Sequence, residues 1–478
     1  MVFSSAIFLF LFLPAVFLLY RLCRNQRGQN LLLAAASVVF YAFGQLGYVP
    51  LFLLSVCINY LAGRLLLSLQ RRRKVVLALA VVLNLGILAV FKYADFALQN
   101  LNLLLHTDFP LPGITLPIGI SFFTFQGLSY VIDNYRDPSM GTKDFGKLLL
   151  YLAFFPQLIA GPIVKYHDIA GQIDRRRCSV EETGAGVRRF LLGLAKKLLV
   201  ADSVGRIADT VFADCLHGVY GAPDIRLMWL GTLCYTLQIY YDFSGYSDMA
   251  IGLGHMFGFR FRENFLFPYG AASIRDFWRR WHISLSTWFR DYLYIPLGGS
   301  RRGRLRSAFN RLLVFFCTGI WHGANWTFVL WGLGHGLLAS LEDWGVLPVK
   351  KLRQSAVGRL LCRSYTFLAV MLLFALFRAD SLRDAGTLFA ALFSGGVTAQ
   401  GTLLLARLLS PATVLVLLLA LLFAGNLIPR LRQRLFPEGA EPRPAVPALS
   451  WLFSLLLFAL SALSLARGGF HPFIYFQF

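Results

Sequence analysis

Apolar residues run along this chain in long blocks separated by short polar or basic stretches. The blocks fall near residues 2–20, 30–43, 48–69, 75–98, 114–133, 146–164, 187–204, 227–257, 308–322, 325–340, 364–378, 403–424 and 450–466. A helix needs about 20 residues to cross the hydrocarbon core of a bilayer, so the pattern predicts an all-α polytopic integral membrane protein. Several blocks are too short, or too interrupted by Gly and Pro, to span simply. Phe154-Phe155-Pro156-Gln157-Leu158-Ile159-Ala160-Gly161-Pro162 reads as a broken or re-entrant segment, and irregular backbone at that depth must be covered by protein or line a wet cavity. A single membrane-embedded domain over residues 1–478 is expected, with its core at about 115–340 and C-terminal helices over 361–478. A Pro-containing polar linker from Arg430 to Pro447 sets off the last helix. No internal repeat stands out, which counts against an inverted-repeat transporter.

One stretch has a different pattern. Between Ser273 and Pro296, residues Ile274, Phe277, Trp278, Trp281, Leu285, Trp288, Phe289 and Tyr292 recur at helical spacing and occupy a face roughly 120° wide. Arg275, Arg279, Arg280 and Arg290 take the other side. The spacing predicts one helix, capped by Ser273 and ended by Pro296, lying in the membrane interface with its aromatic side down.

Composition supports the membrane reading. Of 478 residues, 57% are hydrophobic and only 15% charged, against about a quarter charged in soluble domains. The net charge of +22 sits in short clusters between apolar blocks. That is the mark of cytoplasmic loops facing a lipid bilayer, not of a nucleic-acid surface. Arg21, Arg24 and Arg27 follow the first block and nothing basic precedes it, so the N-terminus is expected outside and the first loop inside. The first block lacks a charged start and a small-residue cleavage site and is kept as a helix. The seven cysteines are scattered with no Cys-x-x-Cys pair, and no metal-ligand spacing of histidines occurs, so neither a metal site nor a disulfide framework is indicated.

Ionisable groups inside apolar blocks mark the candidate chemistry, because they are costly there and usually functional. His322 lies in Trp321-His322-Gly323-Ala324-Asn325-Trp326. A neutral imidazole near its ordinary pKa can take a hydroxyl proton, although a buried histidine can also simply bond a neighbouring helix. Gly323 would allow close approach, and Asn325 would suit orientation of a carbonyl or the imidazole. His282, at the border of the aromatic face, is on its own an incidental residue of an interfacial anchor. The segment Tyr240-Tyr241-Asp242-Phe243-Ser244-Gly245-Tyr246-Ser247-Asp248 either lines a substrate channel or pairs its acids with the arginines of the interfacial helix. No nucleophile elbow, phosphate-binding lysine loop or dinucleotide glycine fingerprint is present, which removes the usual support for hydrolase, ATPase or nicotinamide-enzyme readings.

These segments together resemble the membrane-bound O-acyltransferase superfamily, in its bacterial alginate and peptidoglycan O-acetyltransferase branch. The resemblance spans nearly the whole chain. It is carried by Met1-Val2-Phe3-Ser4-Ser5, Leu116-Pro117-Ile118-Gly119-Ile120-Ser121-Phe122, Leu158-Ile159-Ala160-Gly161-Pro162, Tyr241-Asp242-Phe243-Ser244-Gly245-Tyr246-Ser247-Asp248-Met249-Ala250, Phe277-Trp278-Arg279-Arg280-Trp281-His282-Ile283-Ser284-Leu285-Ser286, Trp321-His322-Gly323-Ala324-Asn325 and Phe473-Ile474-Tyr475-Phe476. The resemblance implies a bowl-like ring of transmembrane helices around a thinned centre, with interfacial and re-entrant helices. The superfamily's paired functional positions fall on His322 and His282. It further implies acetyl-CoA as a cytoplasmic acyl donor, no permanently bound cofactor, and an extracytoplasmic polysaccharide as acceptor. Arg279, Arg280 and Arg290 are candidates for attracting the donor's phosphates, and ordinary positive-inside topology explains them about as well. With no soluble domain appended, a periplasmic partner resembling an SGNH hydrolase is expected to finish the transfer, and the site is expected in the bacterial inner membrane. Transfer of D-alanine to teichoic acid by the same superfamily, or transport of a polysaccharide or lipid, are the alternatives.

Overall fold

The computed structural model describes residues 1–218, 224–425, 445–467 and 473–474. Among the described residues it is helical, the only extended pairing being an isolated bridge between Asp224 and Gly396. Its contacts divide it into two compact units. The first holds residues 1–194, 246–263 and 475–478, and the second residues 195–245 and 264–474.

The first unit begins with α1 (Phe8–Leu22), whose opening turns are π-helical. Then come α2 (Gln26–Gln45), α3 (Val49–Ser68), α4 (Arg73–Leu105), α5 (Ile120–Arg136), α6 (Phe145–Ala153), α7 (Phe155–Leu158), α8 (Tyr166–Asp174) and α9 (Val180–Ala195). The Asn25 side chain caps α2 by accepting from Gly28 N–H, as helix starts require. Gln45 leaves helical geometry at φ −153° and separates α2 from α3. The block expected at 114–133 becomes helical only at Ile120, because Gly119 takes a left-handed φ of 78°. A side chain on Gly119 would press against the backbone of Leu158 and Ile159. The expected break in the 146–164 block is found: α6 ends at Ala153, α7 lasts one turn, and everything from Leu150 to Val164 is buried in protein. Within this unit Phe3, Phe8, Phe12, Phe40 and Phe155 pack as an aromatic core.

The second unit opens on a π-helical turn, Lys196–Ala201, leading into α10 (Asp202–His217). It continues with α11 (Ile225–Met256, of which residues from Tyr246 belong to the first unit), α12 (Ile274–Trp278) and α13 (Ile283–Phe289). Next are α14 (Arg304–His322), α15 (Trp326–Trp344), α16 (Val349–Leu352), α17 (Ala356–Arg378), α18 (Leu382–Ser394), α19 (Ala399–Leu408), α20 (Pro411–Ala424) and α21 (Ala445–Ala466). The block expected at 403–424 is two helices bent by 75° at Leu409–Ser410, where Pro411 starts the second. The linker expected at 430–447 lies outside the described residues up to 444, and α21 begins at Ala445.

The single amphipathic helix expected from Ser273 to Pro296 is broken. Ser273 caps α12 by accepting from Asp276 N–H, but His282 adopts a left-handed φ of 44° and α13 starts after it. The aromatic face is buried by protein: Phe277 and Trp281 pack on α17 through Phe374, and Trp278 packs on Phe315 and Trp331 of α14 and α15. Periodicity identifies the buried face, and it does not distinguish lipid from protein as the cover. Arg275, Arg279 and Arg290 remain on the exposed side.

α14 and α15 form an antiparallel hairpin closed by the short turn Gly323–Asn325. They pack closely because Gly319 and Gly332 face the opposite helix, where a Cβ on either would collide with the carbonyl of Phe328 or of Phe315. Such small-residue contacts are the usual means of bringing helices together in a membrane. Four helical runs among the described residues are long and apolar enough to cross a bilayer, or five if the bent pair α19–α20 is one span.

Candidate active site

His322 is the last residue of α14 and is buried. Trp321, Trp331 of α15 and Phe377 of α17 stand edge-on to its ring at centroid distances of 4.9, 5.0 and 5.3 Å. The turn that follows is held rigidly. Asn325 Oδ1 accepts from Thr327 N–H and caps α15, while Asn325 Nδ2 donates to the Asp380 carbonyl at 2.6 Å. The Asn325 amide is therefore engaged in holding the turn. Gly323 is needed for the approach of Phe328, whose ring a Cβ there would overlap.

His282 is wholly buried at the break between α12 and α13. Its left-handed backbone is fastened by a segment that sequence reading passed over. Asn264 accepts Ile283 N–H on its carbonyl at 3.0 Å, and its Oδ1 accepts both Ser284 N–H at 3.1 Å and Ser284 Oγ–H at 2.9 Å. Leu266 N–H also donates to the Arg280 carbonyl. Phe243 of α11 lies edge-on to the His282 ring at 4.7 Å, and Trp321 stands at 5.9 Å. The structure thus brings His282 and His322 against the same indole, that of Trp321.

The polar segment of α11 divides. Asp242 turns to the buried Lys197, Nζ to Oδ1 at 2.7 Å, and the same Nζ lies 2.8 Å from Asp202. Asp242 Oδ2 also accepts Ile474 N–H at 2.9 Å. Ser244 Oγ accepts from Lys196 Nζ at 3.5 Å. Tyr246 and Asp248 belong to the first unit, where Tyr246 stacks on Phe3 and Asp248 receives Arg189 Nε at 2.7 Å. The cations that meet Asp242 and Asp248 are thus Lys197 and Arg189, both outside the 273–296 segment. They lie in the 187–204 block, where a lysine in an apolar run was itself a signal. Arg280 pairs with Asp276, one turn before it.

A cavity of about 500 Å³ opens beside this site, lined by Arg275, Arg279, Arg290, Arg311, Trp278 and Phe315 among others. Arg275 and Arg311 share Asp343, and Arg290 pairs with Asp291. Arg279 has no ion-pair partner among the described residues. Among the described residues no three His, Cys, Asp or Glu side chains gather as a metal site would require, and all seven cysteines are unpaired thiols.

Several helices able to cross a bilayer, together with imidazoles buried among aromatic rings, describe a multi-pass membrane protein. The chain belongs to the membrane-bound O-acyltransferase family, whose model matches residues 138–347. It is 41% identical to a probable alginate O-acetylase of Pseudomonas putida over the full length of both chains. It is 36% identical to a peptidoglycan O-acetyltransferase of Helicobacter pylori over 80% of this chain and 78% of that one. To a teichoic acid D-alanyltransferase of Bacillus subtilis it is 29% identical over 48% of this chain and 60% of the relative.

Proposed function

We propose that this protein transfers acetyl groups from acetyl-CoA, taken at the cytoplasmic face of a bacterial inner membrane, towards O-acetylation of an extracytoplasmic polysaccharide. The observation that carries the reading is the full-length identity to probable alginate O-acetylases. The likeness to D-alanyltransferases covers only half of the chain, which favours acetyl over D-alanyl transfer. In this reading a ring nitrogen of His322 removes the proton of the acceptor hydroxyl, the oxygen attacks the thioester carbonyl, the carbon–sulfur bond breaks, and the leaving thiolate takes the proton back. The aromatic box around His322 keeps water from competing for the thioester. His282, which shares the Trp321 indole with His322, donates to the developing oxyanion or positions a substrate. Arg279, its charge unspent on an ion pair, holds a donor phosphate at the cavity lip, assisted by Arg290. A periplasmic partner resembling an SGNH hydrolase receives the acetyl group and delivers it to the polymer, and the N-terminus lies on that same side.

The test is acetyl-CoA turnover by membranes carrying the wild-type chain or His322→Ala. Turnover is expected to fall by at least about 100-fold in the variant, the usual worth of a general base. Unaltered turnover would remove His322 from the mechanism, and no turnover by the wild type would favour a transporter.

A further inference from the structure

Between the basic-lipped cavity and His322 lies a part of the interior that the proposed transfer does not use. His335 of α15 is fully buried, and neither ring nitrogen has a hydrogen-bond partner among the described residues. Phe277 and Phe315 lie nearly parallel to its ring at 6.0 and 6.1 Å, and Trp278 and Trp331 stand edge-on at 5.2 Å each. The indole nitrogens of both tryptophans are also buried without an acceptor among the described residues. Three adjacent side chains thus hold unsatisfied polar nitrogens, where buried polar groups ordinarily find partners.

The cluster leads from the cavity to the candidate active site. Trp278 and Phe315 are part of the cavity wall, and Trp331 packs against His322. On α14, Arg311 and Phe315 precede His322 by about 16 and 10 Å of helix rise, so His335, level with Phe315, sits partway along the route. Trp278 and Phe315, which both wall the cavity and pack on the His335 ring, meet edge to face at 5.1 Å.

An indole N–H only donates, and a neutral imidazole has one donor and one acceptor. A guest that satisfies this cluster therefore brings mainly carbonyl oxygens. We propose that His335, with the indole N–H groups of Trp278 and Trp331, binds carbonyl oxygens on the amide-bearing arm of the acyl thioester as it passes from the arginines towards His322. This rests on the acetyl-thioester reading above and assigns His335 as a donor-binding residue.

KM and kcat are to be measured on membranes carrying the full chain as wild type, His335→Phe, His335→Gln and Trp278→Phe. Two donors are compared: acetyl-CoA, and acetyl-S-pantetheine, which keeps the arm and lacks the nucleotide. His335→Phe is expected to raise KM for both donors about three- to tenfold, the equivalent of one hydrogen bond, with kcat nearly unchanged and no fall in unfolding temperature. His335→Gln, which keeps a donor, recovers part of the loss. Trp278→Phe carries the same expectation should His335→Phe fail to accumulate. Unchanged KM for both donors, a loss of kcat at constant KM, or a lowered unfolding temperature without a KM change would overturn the assignment, the last indicating that buried water satisfies these nitrogens. Wild-type membranes that turn over neither donor would overturn the acetyl-thioester reading itself, an outcome distinct from active wild type with unaltered variants.

Discussion

His282 is one of three non-glycine residues, with His106 and Phe267, that the described structure holds in the left-handed region. That conformation costs on the order of 1–3 kcal/mol and persists only where neighbours enforce it. Asn264 is the enforcing residue, since its amide and carbonyl oxygens together accept three hydrogen bonds from Ile283 and Ser284. The strain has a local result: it turns the His282 ring into the pocket between Phe243 and Trp321, where a continuous helix would carry it past. Asn264→Ala should release the turn and lower acetyl turnover about tenfold or more, a modest misplacement being enough for that. If Asn264 acts only through His282, the double variant with His282→Ala loses no more than His282→Ala alone, because contacting residues in one network are non-additive. Additive losses in the measured cycle would assign Asn264 some other role.

The helical hairpin α14–α15 sets the position of His322 through its glycines. A Cβ on Gly332 would meet the Phe315 carbonyl, so Gly332→Ala must push the two helices apart or shift them. Overpacking of this kind costs about 1–3 kcal/mol, and a displacement near 1 Å at His322 lowers turnover about 100-fold. Gly386 in α18 has no atom within 4 Å of its hypothetical Cβ, and Gly386→Ala should be neutral or stabilise by up to about 1 kcal/mol. Thermal unfolding and turnover of the two variants side by side check the contrast, and equal behaviour would discount the hairpin contact. Elements of this kind were readable in the sequence where no Gly or Pro break interrupts an apolar block and polar residues bound it: α3, α11, α14 and α15 begin and end within a few residues of the expected limits. α8 and α18 were missed because they are short, and the break at His282 was missed because the helical period of aromatic residues continues through it. His322 was legible as an ionisable group in an apolar block, whereas His335 was hidden in Trp331-Gly332-Leu333-Gly334-His335-Gly336, where only its unsatisfied burial distinguishes it. Lys197 carried a signal as a lysine in an apolar run, but its pairing with Asp242 and the hold of Asn264 on Ile283 and Ser284 join segments distant in sequence, which no local pattern encodes.

Across the whole chain, apolar side chains face outward on α4, α20 and α21, with Leu79, Val82, Leu418 and Leu452 all exposed, as a lipid-embedded surface requires. The interior instead contains ionised groups, and their arrangement decides what they are for. In the second unit Lys197 joins the π-helical turn to Asp202 of α10 and Asp242 of α11, lies over the Phe473 ring at 4.8 Å, and shares Asp242 with the Ile474 amide. Segments almost 280 residues apart thus meet on one ammonium group. If the network is a clamp, what matters is that no member be left charged alone, since removing one partner of a buried ion pair costs about 3–5 kcal/mol while replacing all of them together is close to neutral. Lys197→Met alone should therefore abolish accumulation of folded protein in the membrane. Lys197→Met combined with Asp202→Asn and Asp242→Asn should restore folding, because no charge is left alone and the Asn at position 242 keeps an oxygen to accept the Ile474 N–H, and should restore acetyl turnover to within about tenfold of wild type. A triple variant that folds and yet transfers no acetyl group would instead place Asp242 on the substrate route, the role that its position in an apolar block first suggested.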